Sequence, residues 1–229
     1  MQKSILLKTS AIVSGISGVV ILLGVIWPIA SYEKDAQDKY PTFISPIVGE
    51  GESLAQDDLD YTKASSWFVG GAPKEEFISS KVSFYTISIP KLKIENATVA
   101  IGGEDLAKSL IQYPGTALPG KAGNAVIFGH SILPIFYNPK NYIAIFSTLP
   151  TLKKEDEIDV SYDGVSYKYK VEDMFEVAPV DIQVLEQNSS DSFLTLVTCV
   201  PPGDPRKSKR LIVRARIVTP EAKNANTRN

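Results

Sequence analysis

The sequence predicts a mainly β protein, a closed or nearly closed barrel of some eight strands with short helices, preceded by a single N-terminal transmembrane helix. Three observations carry that expectation. An uncharged apolar stretch stands near the start of the 229-residue chain. Short alternating runs rich in β-formers, separated by Pro, Gly and Asn or Asp turns, fill residues 82–218. Helical periodicity is nearly absent from that second part, and many strands with little helix close most readily into a barrel. The expected division is 1–8 cytoplasmic, 9–30 transmembrane, 31–81 an acidic stalk, 82–219 the barrel and 220–229 a polar tail.

From Thr9 to Ala30 the chain carries no charge across 22 residues, enough to cross a hydrocarbon core of about 30 Å. Lys3 and Lys8 precede this stretch and no acidic residue does, so the positive-inside rule leaves the N-terminus in the cytoplasm and exports the rest. Trp27 and Tyr32 fall at interfacial positions. A cleaved signal peptide is the competing reading, with Pro28-Ile-Ala30 as the weak cleavage site; the length of the apolar run favours an uncleaved anchor.

Residues 31–60 hold Glu33, Asp35, Asp38, Glu50, Glu52, Asp57, Asp58 and Asp60 against Lys34 and Lys39, a net of −6, which leaves +2 for residues 61–229. The acidic stretch reads as a solvated stalk. No basic patch of the density that nucleic acid requires is present, so nucleic-acid binding is excluded as an expectation.

The strands follow in order. Residues 82–89 alternate and stop at Pro90, and Ile94 to Ala100 forms a second run. Glu104 to Ile111 reads as a short helix with Leu106, Leu110 and Ile111 on one side. Asn124-Ala-Val-Ile-Phe-Gly-His130 is a buried strand ending at the histidine, and Ile143 to Leu152 a short helical turn. Ile158, Val160 and Tyr162 alternate into Asp163-Gly164, and Val165, Tyr167, Tyr169 and Val171 alternate out of it, which is a hairpin. Ser192 to Cys199 and Arg210 to Val218 complete the set.

Cys199 is the only cysteine and His130 the only histidine. A single thiol in an exported protein forms no internal disulfide. Cys199 ends an apolar strand before Val200-Pro-Pro-Gly-Asp-Pro205, a stretch that cannot continue a sheet, so its thiol stands at a strand mouth. His130 follows Gly129 at another strand end, and Arg210 opens the last strand. A unique Cys, a unique His and a strand-opening Arg are the parts of acyl transfer through a thioester. Each also has a plainer account: a packed core thiol, a structural imidazole, and one of a row of solvated strand charges with Arg214 and Arg216. With one histidine and one cysteine, no metal site is expected.

Leu194-Thr-Leu-Val-Thr-Cys199 followed by Lys209-Arg-Leu-Ile-Val213 resembles the signature of the sortases, membrane-anchored cysteine transpeptidases of microbial surfaces. Ser88-Ile-Pro-Lys-Leu-Lys-Ile94, Tyr113-Pro-Gly-Thr-Ala117 and Gly123-Asn-Ala-Val-Ile-Phe-Gly-His130 resemble further blocks of that family, in order. Leu152-Lys-Lys-Glu-Asp-Glu-Ile158 resembles another, with Glu155 where glycine is common. The resemblance covers residues 82–218.

It implies an eight-stranded mixed sortase-type barrel. It also implies Cys199 as the nucleophile on a Leu-Pro-x-Thr-Gly-like C-terminal sorting signal and His130 as general acid and then base. Arg210, always charged, would hold the substrate carbonyl and its oxyanion, with Thr198 a possible helper in substrate binding. The implied partners are secreted proteins bearing the signal and an amine acceptor, a cell-wall precursor or a pilin lysine, with no metal or organic cofactor. Pilus-building members carry a lid with an Asp-Pro-aromatic motif ahead of the barrel. Asp60-Tyr61 and Ser66-Trp67-Phe68 lack that pattern, which favours the stalk over a lid. Hydrolysis without transfer, and a barrel that binds without chemistry, are the rival functions.

Overall fold

The computed structural model describes residues 2–43, 60–68, 83–187 and 191–218. The polar tail, most of the acidic segment and the first residue of the expected barrel, Val82, lie outside the described residues. The first element is a helix, α1, Gln2–Lys39. It is long and apolar enough to cross a membrane, and its outward residues from Ile12 to Trp27 are exposed.

The helix runs to Lys39, past the Ala30 at which the apolar stretch ends. Its last turns are not a free stalk. Ala36 and Tyr40 are buried against the barrel, and Tyr32, one turn earlier on the same face, donates from Oη to Glu176 Oε1 at 2.8 Å. Tyr40 Oη and Lys39 Nζ both donate to the Pro150 carbonyl, at 2.8 and 2.7 Å. Strand β1, Thr42–Phe43, then pairs in parallel with the end of β7.

Eight further strands close the barrel: β2 Ser83–Ile89, β3 Ile94–Ile101, β4 Leu110–Gln112, β5 Gly123–Phe128, β6 Glu157–Tyr162, β7 Val165–Val177, β8 Ser192–Val200 and β9 Lys209–Ile217. Their order is β7-β6-β2-β3-β4-β5-β8-β9, and β9 returns to β7 to complete the ring. The pairs β3–β4 and β5–β8 are parallel and the others antiparallel, so the mixed eight-stranded barrel expected from the sequence is what forms. The Asp163-Gly164 hairpin joins β6 and β7 as read, with both residues at positive φ.

One expectation fails. Residues 104–111 hold no helix: the chain turns through Asp105–Lys108 and enters β4, with Leu110 and Ile111 buried on opposite faces. A short apolar run covered on both sides reads the same as a buried helical face, and here the parallel partner β3 decides. The expected helical turn at 143–152 is a chain of three-residue hydrogen-bonded turns, ending in a 3-10 turn at Leu149–Thr151.

The barrel interior is filled by Ile87, Ile89, Ile94, Val99, Leu110, Ile127, Phe146, Ile158, Val160, Leu194, Leu196 and Val213, among others. A second apolar cluster lies outside the wall, on the far faces of β4, β5, β8 and β9, and includes Phe128, Val197, Cys199 and Ile212. This double coverage explains why β5 and β8 are buried along their whole length and read as continuous apolar runs rather than alternating ones.

Candidate functional site

The site is a consequence of two strand pairings. Strands β5 and β8 are parallel neighbours in the register Phe128↔Val197, so both leave the sheet at the same edge. His130 and Cys199 each stand two residues beyond that last pair, on the outer face. The crossing is held by Gly129 N–H to the Val197 carbonyl at 3.1 Å and by the Ser131 hydroxyl to the Cys199 carbonyl at 2.6 Å. Strands β8 and β9 are antiparallel with Cys199 opposite Arg210. The three residues that the sequence nominated are therefore gathered at one edge of the barrel.

Two glycines set the local backbone. A Cβ on Gly129 would come within 2.4 Å of the Phe146 ring and 2.6 Å of Leu110, so the residue before the histidine can have no side chain. Gly203, in the β8–β9 turn, has φ +86 and lies against Leu133, tying that turn to the loop after the histidine. Thr198 faces the opposite way from Cys199, as alternation demands. It is fully buried, and its hydroxyl donates to the Gly129 carbonyl at 2.8 Å. That bond holds the backbone ahead of His130.

Arg210 is fully buried. Its Nη1 donates to the carbonyls of Lys207 and Lys209 at 2.7 and 3.1 Å. Its Nε and Nη2 together grip one backbone oxygen, that of Trp67, at 3.2 and 3.1 Å. Tyr61 and Trp67 also lie over the guanidinium, with ring centroids 5.2 and 5.6 Å from Cζ.

Residues 60–68 thus form a cover over the site, which sequence reasoning assigned to the stalk. Ala64, Trp67 and Phe68 are buried in the outer apolar cluster with Cys199, Val197 and Phe128. The Trp67 ring stacks on Phe128 at 5.2 Å and lies 5.8 Å from the His130 ring. Trp67 Nε1 donates to the Tyr61 carbonyl at 2.9 Å, and the segment is tied down by Ala64 N–H to the Glu104 carbonyl at 3.2 Å. The available signal was three aromatics, Tyr61, Trp67 and Phe68, clustered just after the acidic residues 31–60.

Under this cover burial disfavours the charged form of both the imidazole and the thiol. Burial pulls the His130 pKa down to about 4; Lys207 pushes in the same direction, and Asp105 and Asp60 oppose it more weakly. Burial raises the Cys199 thiol above its ordinary range, outweighing the nearby charges of Arg210 and Lys207. Lys207 was not singled out from the sequence, yet it acts on both groups and its Nζ sits 5.1 Å from the Tyr61 ring. Among the described residues no group of three or more His, Cys, Asp or Glu side chains could hold a metal ion.

A buried thiol, an imidazole and a guanidinium that grips a backbone carbonyl are suited to acyl transfer at a peptide carbonyl. Similarity to known proteins agrees. Sortase A of Bacillus anthracis is 28% identical over 177 residues, 72% of this chain and 78% of that protein. The solved structure of a Clostridium perfringens sortase D5 transpeptidase is 26% identical, with TM-score 0.51, over 64% of this chain and 87% of that one. Sortase C1 from Streptococcus agalactiae is 31% identical, with TM-score 0.51, over 60% of this chain and 68% of that one. The sortase-domain model matches residues 87–218, more than half of the chain, and the chain belongs to the sortase family of cysteine transpeptidases.

Proposed function

We propose that this chain is a membrane-anchored transpeptidase that cleaves a C-terminal sorting signal of the Leu-Pro-x-Thr-Gly kind through an acyl-thioester on Cys199. It then passes the substrate protein to an amine at the cell surface, a cell-wall precursor or a pilin lysine. The observation that carries the residue roles is the bidentate grip of Arg210 on the Trp67 carbonyl. That oxygen is a peptide carbonyl held by the guanidinium that lies across the strand pair from Cys199, a contact of the kind that would polarise a scissile carbonyl.

In the reaction the cover withdraws and the substrate carbonyl replaces that of Trp67. Cys199 Sγ attacks the carbonyl carbon while its proton passes to His130, which is neutral and free to accept it. The oxyanion develops against the guanidinium of Arg210. His130 returns the proton to the departing amine as the C–N bond breaks, leaving the acyl-thioester. The incoming amine gives a proton to His130, attacks the thioester, and the thiolate leaves and is reprotonated. Thr198 and Ser131 act through the backbone, one ahead of the histidine and one at Cys199. Helix α1 spans the membrane with the N-terminus inside, so enzyme and membrane-borne substrate meet in two dimensions.

The test is mass spectrometry of the full chain in detergent with Leu-Pro-x-Thr-Gly-type peptides and a glycine amine, beside Cys199→Ala. Ligated product with loss of the terminal glycine, absent in the variant, is expected. Cleavage without ligation would make it a protease. Neither product nor acyl adduct across a varied peptide set would leave a barrel that binds without chemistry.

A further inference from the structure

Among the described residues, the loop that follows His130 carries the two most exposed large apolar side chains of the barrel. Ile135 is 78% and Phe136 63% exposed. They are not on a loose segment. Residues Pro134–Phe136 form a 3-10 turn, closed by Phe136 N–H to the Leu133 carbonyl at 2.9 Å and Tyr137 N–H to the Pro134 carbonyl at 3.0 Å. Leu133 lies against Gly203 on one side of the turn, and on the other Tyr137 Oη donates to the Leu92 carbonyl. The turn is pinned at both ends and presents two apolar side chains to the outside.

Its position relates it to α1. Pro134 and Pro202 line one cavity of about 400 Å³ together with Pro28, Ser31, Tyr32 and Ala36 of the helix. Pro28 is two residues short of Ala30, where the apolar stretch ends, and the neighbouring Trp27 points outward at 72% exposure. Trp at the end of an apolar span marks the boundary between acyl chains and headgroups. The helix is fixed to the barrel by the Tyr32–Glu176, Tyr40–Pro150 and Glu33–Arg206 contacts, at 2.8, 2.8 and 3.5 Å. With no free stalk between them, the barrel cannot stand away from the bilayer.

We infer that the Ile135–Phe136 turn enters the lipid interface beside α1, so that the barrel rests on the membrane by the edge that carries His130, Cys199 and Arg210. The partner is the lipid surface itself: the exposed residues are apolar, rigidly held, and next to the helix that carries the boundary aromatic. Docked in this way, the site opens next to the membrane, where the chain leading to a substrate's anchor emerges. The inference rests on α1 being a transmembrane helix.

The experiment uses the full chain with Cys199→Ala, so that each added cysteine is unique, in nanodiscs of phosphatidylcholine and phosphatidylglycerol. Nitroxide labels are placed through Ile135→Cys, through Val20→Cys in the apolar span, and through Val165→Cys at the β6–β7 hairpin on the opposite edge of the barrel. Collision with oxygen, which enriches in lipid, is compared with collision with a water-soluble nickel complex. The expected order of oxygen preference is Val20 highest, Ile135 intermediate and several-fold above Val165, and Val165 lowest. A lipid-protected Val20 label with an Ile135 label as wet as Val165 overturns the docking while the anchor stands. A wet Val20 label overturns both.

Discussion

The outer face of β8 and β9 has two ends built from the same alternating pattern, and they behave as opposites. At one end Cys199 and Arg210 lie opposite each other beneath residues 60–68, and Arg210 spends its donors on three backbone carbonyls. At the other, Arg214 and Arg216 lie over the Phe193 ring at 4.2 and 5.0 Å and line an open cavity of about 700 Å³. Arg216 is paired with Glu172 and Asp191 at 2.7 and 3.2 Å. The residue type is the same, and burial separates the roles. A guanidinium shut away from water must find oxygens, and the fork of Arg210 finds the Trp67 carbonyl. One left at the rim stacks and pairs with carboxylates.

The largest contrast between the two ends is expected from Arg→Lys exchange. Lysine keeps the charge and loses the planar fork that grips one oxygen from two nitrogens. Arg210→Lys should lower kcat/KM for peptide ligation by about 10²- to 10³-fold, the usual consequence of removing an oxyanion donor. Arg214→Lys should leave it within about twofold, as surface substitutions generally do. Steady-state ligation rates measured side by side check this; equal losses would mean that the roles assigned to the two ends are wrong.

Acid should act through the covered end. The His130 pKa is about 4 in the folded chain against an ordinary 6.5, so between those values the unfolded chain binds the extra proton. The stabilisation from keeping His130 neutral is therefore complete above about pH 6.5 and is lost as pH falls towards 4, by on the order of 3 kcal/mol. Urea unfolding at pH 4.5 and 7.5 should show this loss in the native chain and a smaller one in His130→Gln. Identical pH dependence in both would show that the imidazole titrates freely.

Much of this was legible in the sequence, and the limits have physical causes. The strand ends at His130 and Cys199 follow from apolar runs that stop at Gly129 and at Pro201-Pro202. Their meeting required the parallel β5–β8 pairing, which no local pattern encodes. Residues 104–111 were misread because period-2 and period-3.6 patterns converge in a short run buried on both faces. Thr198 neighbours Cys199 in the chain, but alternation sends its side chain through the wall to the other side. The cover was missed because composition describes the segment 31–81 as a whole, whereas the contacts come from Tyr61, Trp67 and Phe68 within it.

That cover gives the next contrast. Trp67→Ala removes the ring that stacks on Phe128 and flanks both His130 and Arg210. Loss of a buried Trp typically costs about 3–5 kcal/mol, here drawn from docking of residues 60–68. Alkylation of Cys199 by iodoacetamide at pH 7.5 should rise at least about tenfold, a change of about 1.4 kcal/mol in the exposed population. The barrel's circular-dichroism melt should move little. Phe193→Ala, at the open end of the same face, should not alter alkylation. A native rate in Trp67→Ala with a native melt would mean that the cover does not control access to the thiol.

The smallest effect sharpens the open end itself. Arg214 has its Nε buried without a hydrogen-bond partner, and the Phe193 face lies 4.2 Å from its Cζ. The stacking should contribute about 0.5–1 kcal/mol, as exposed cation–π pairs do, partly offset by the unsatisfied nitrogen. Arg214→Met keeps much of the stem and removes both the charge and the orphaned donor. Its urea midpoint should therefore shift by no more than a few tenths of a molar, by the usual denaturant slope, with ligation unchanged. A double-mutant cycle with Phe193→Leu should give a coupling under about 1 kcal/mol. A larger coupling would mean that the arginine at the open end is held as tightly as the one under the cover, and that burial alone does not divide the face.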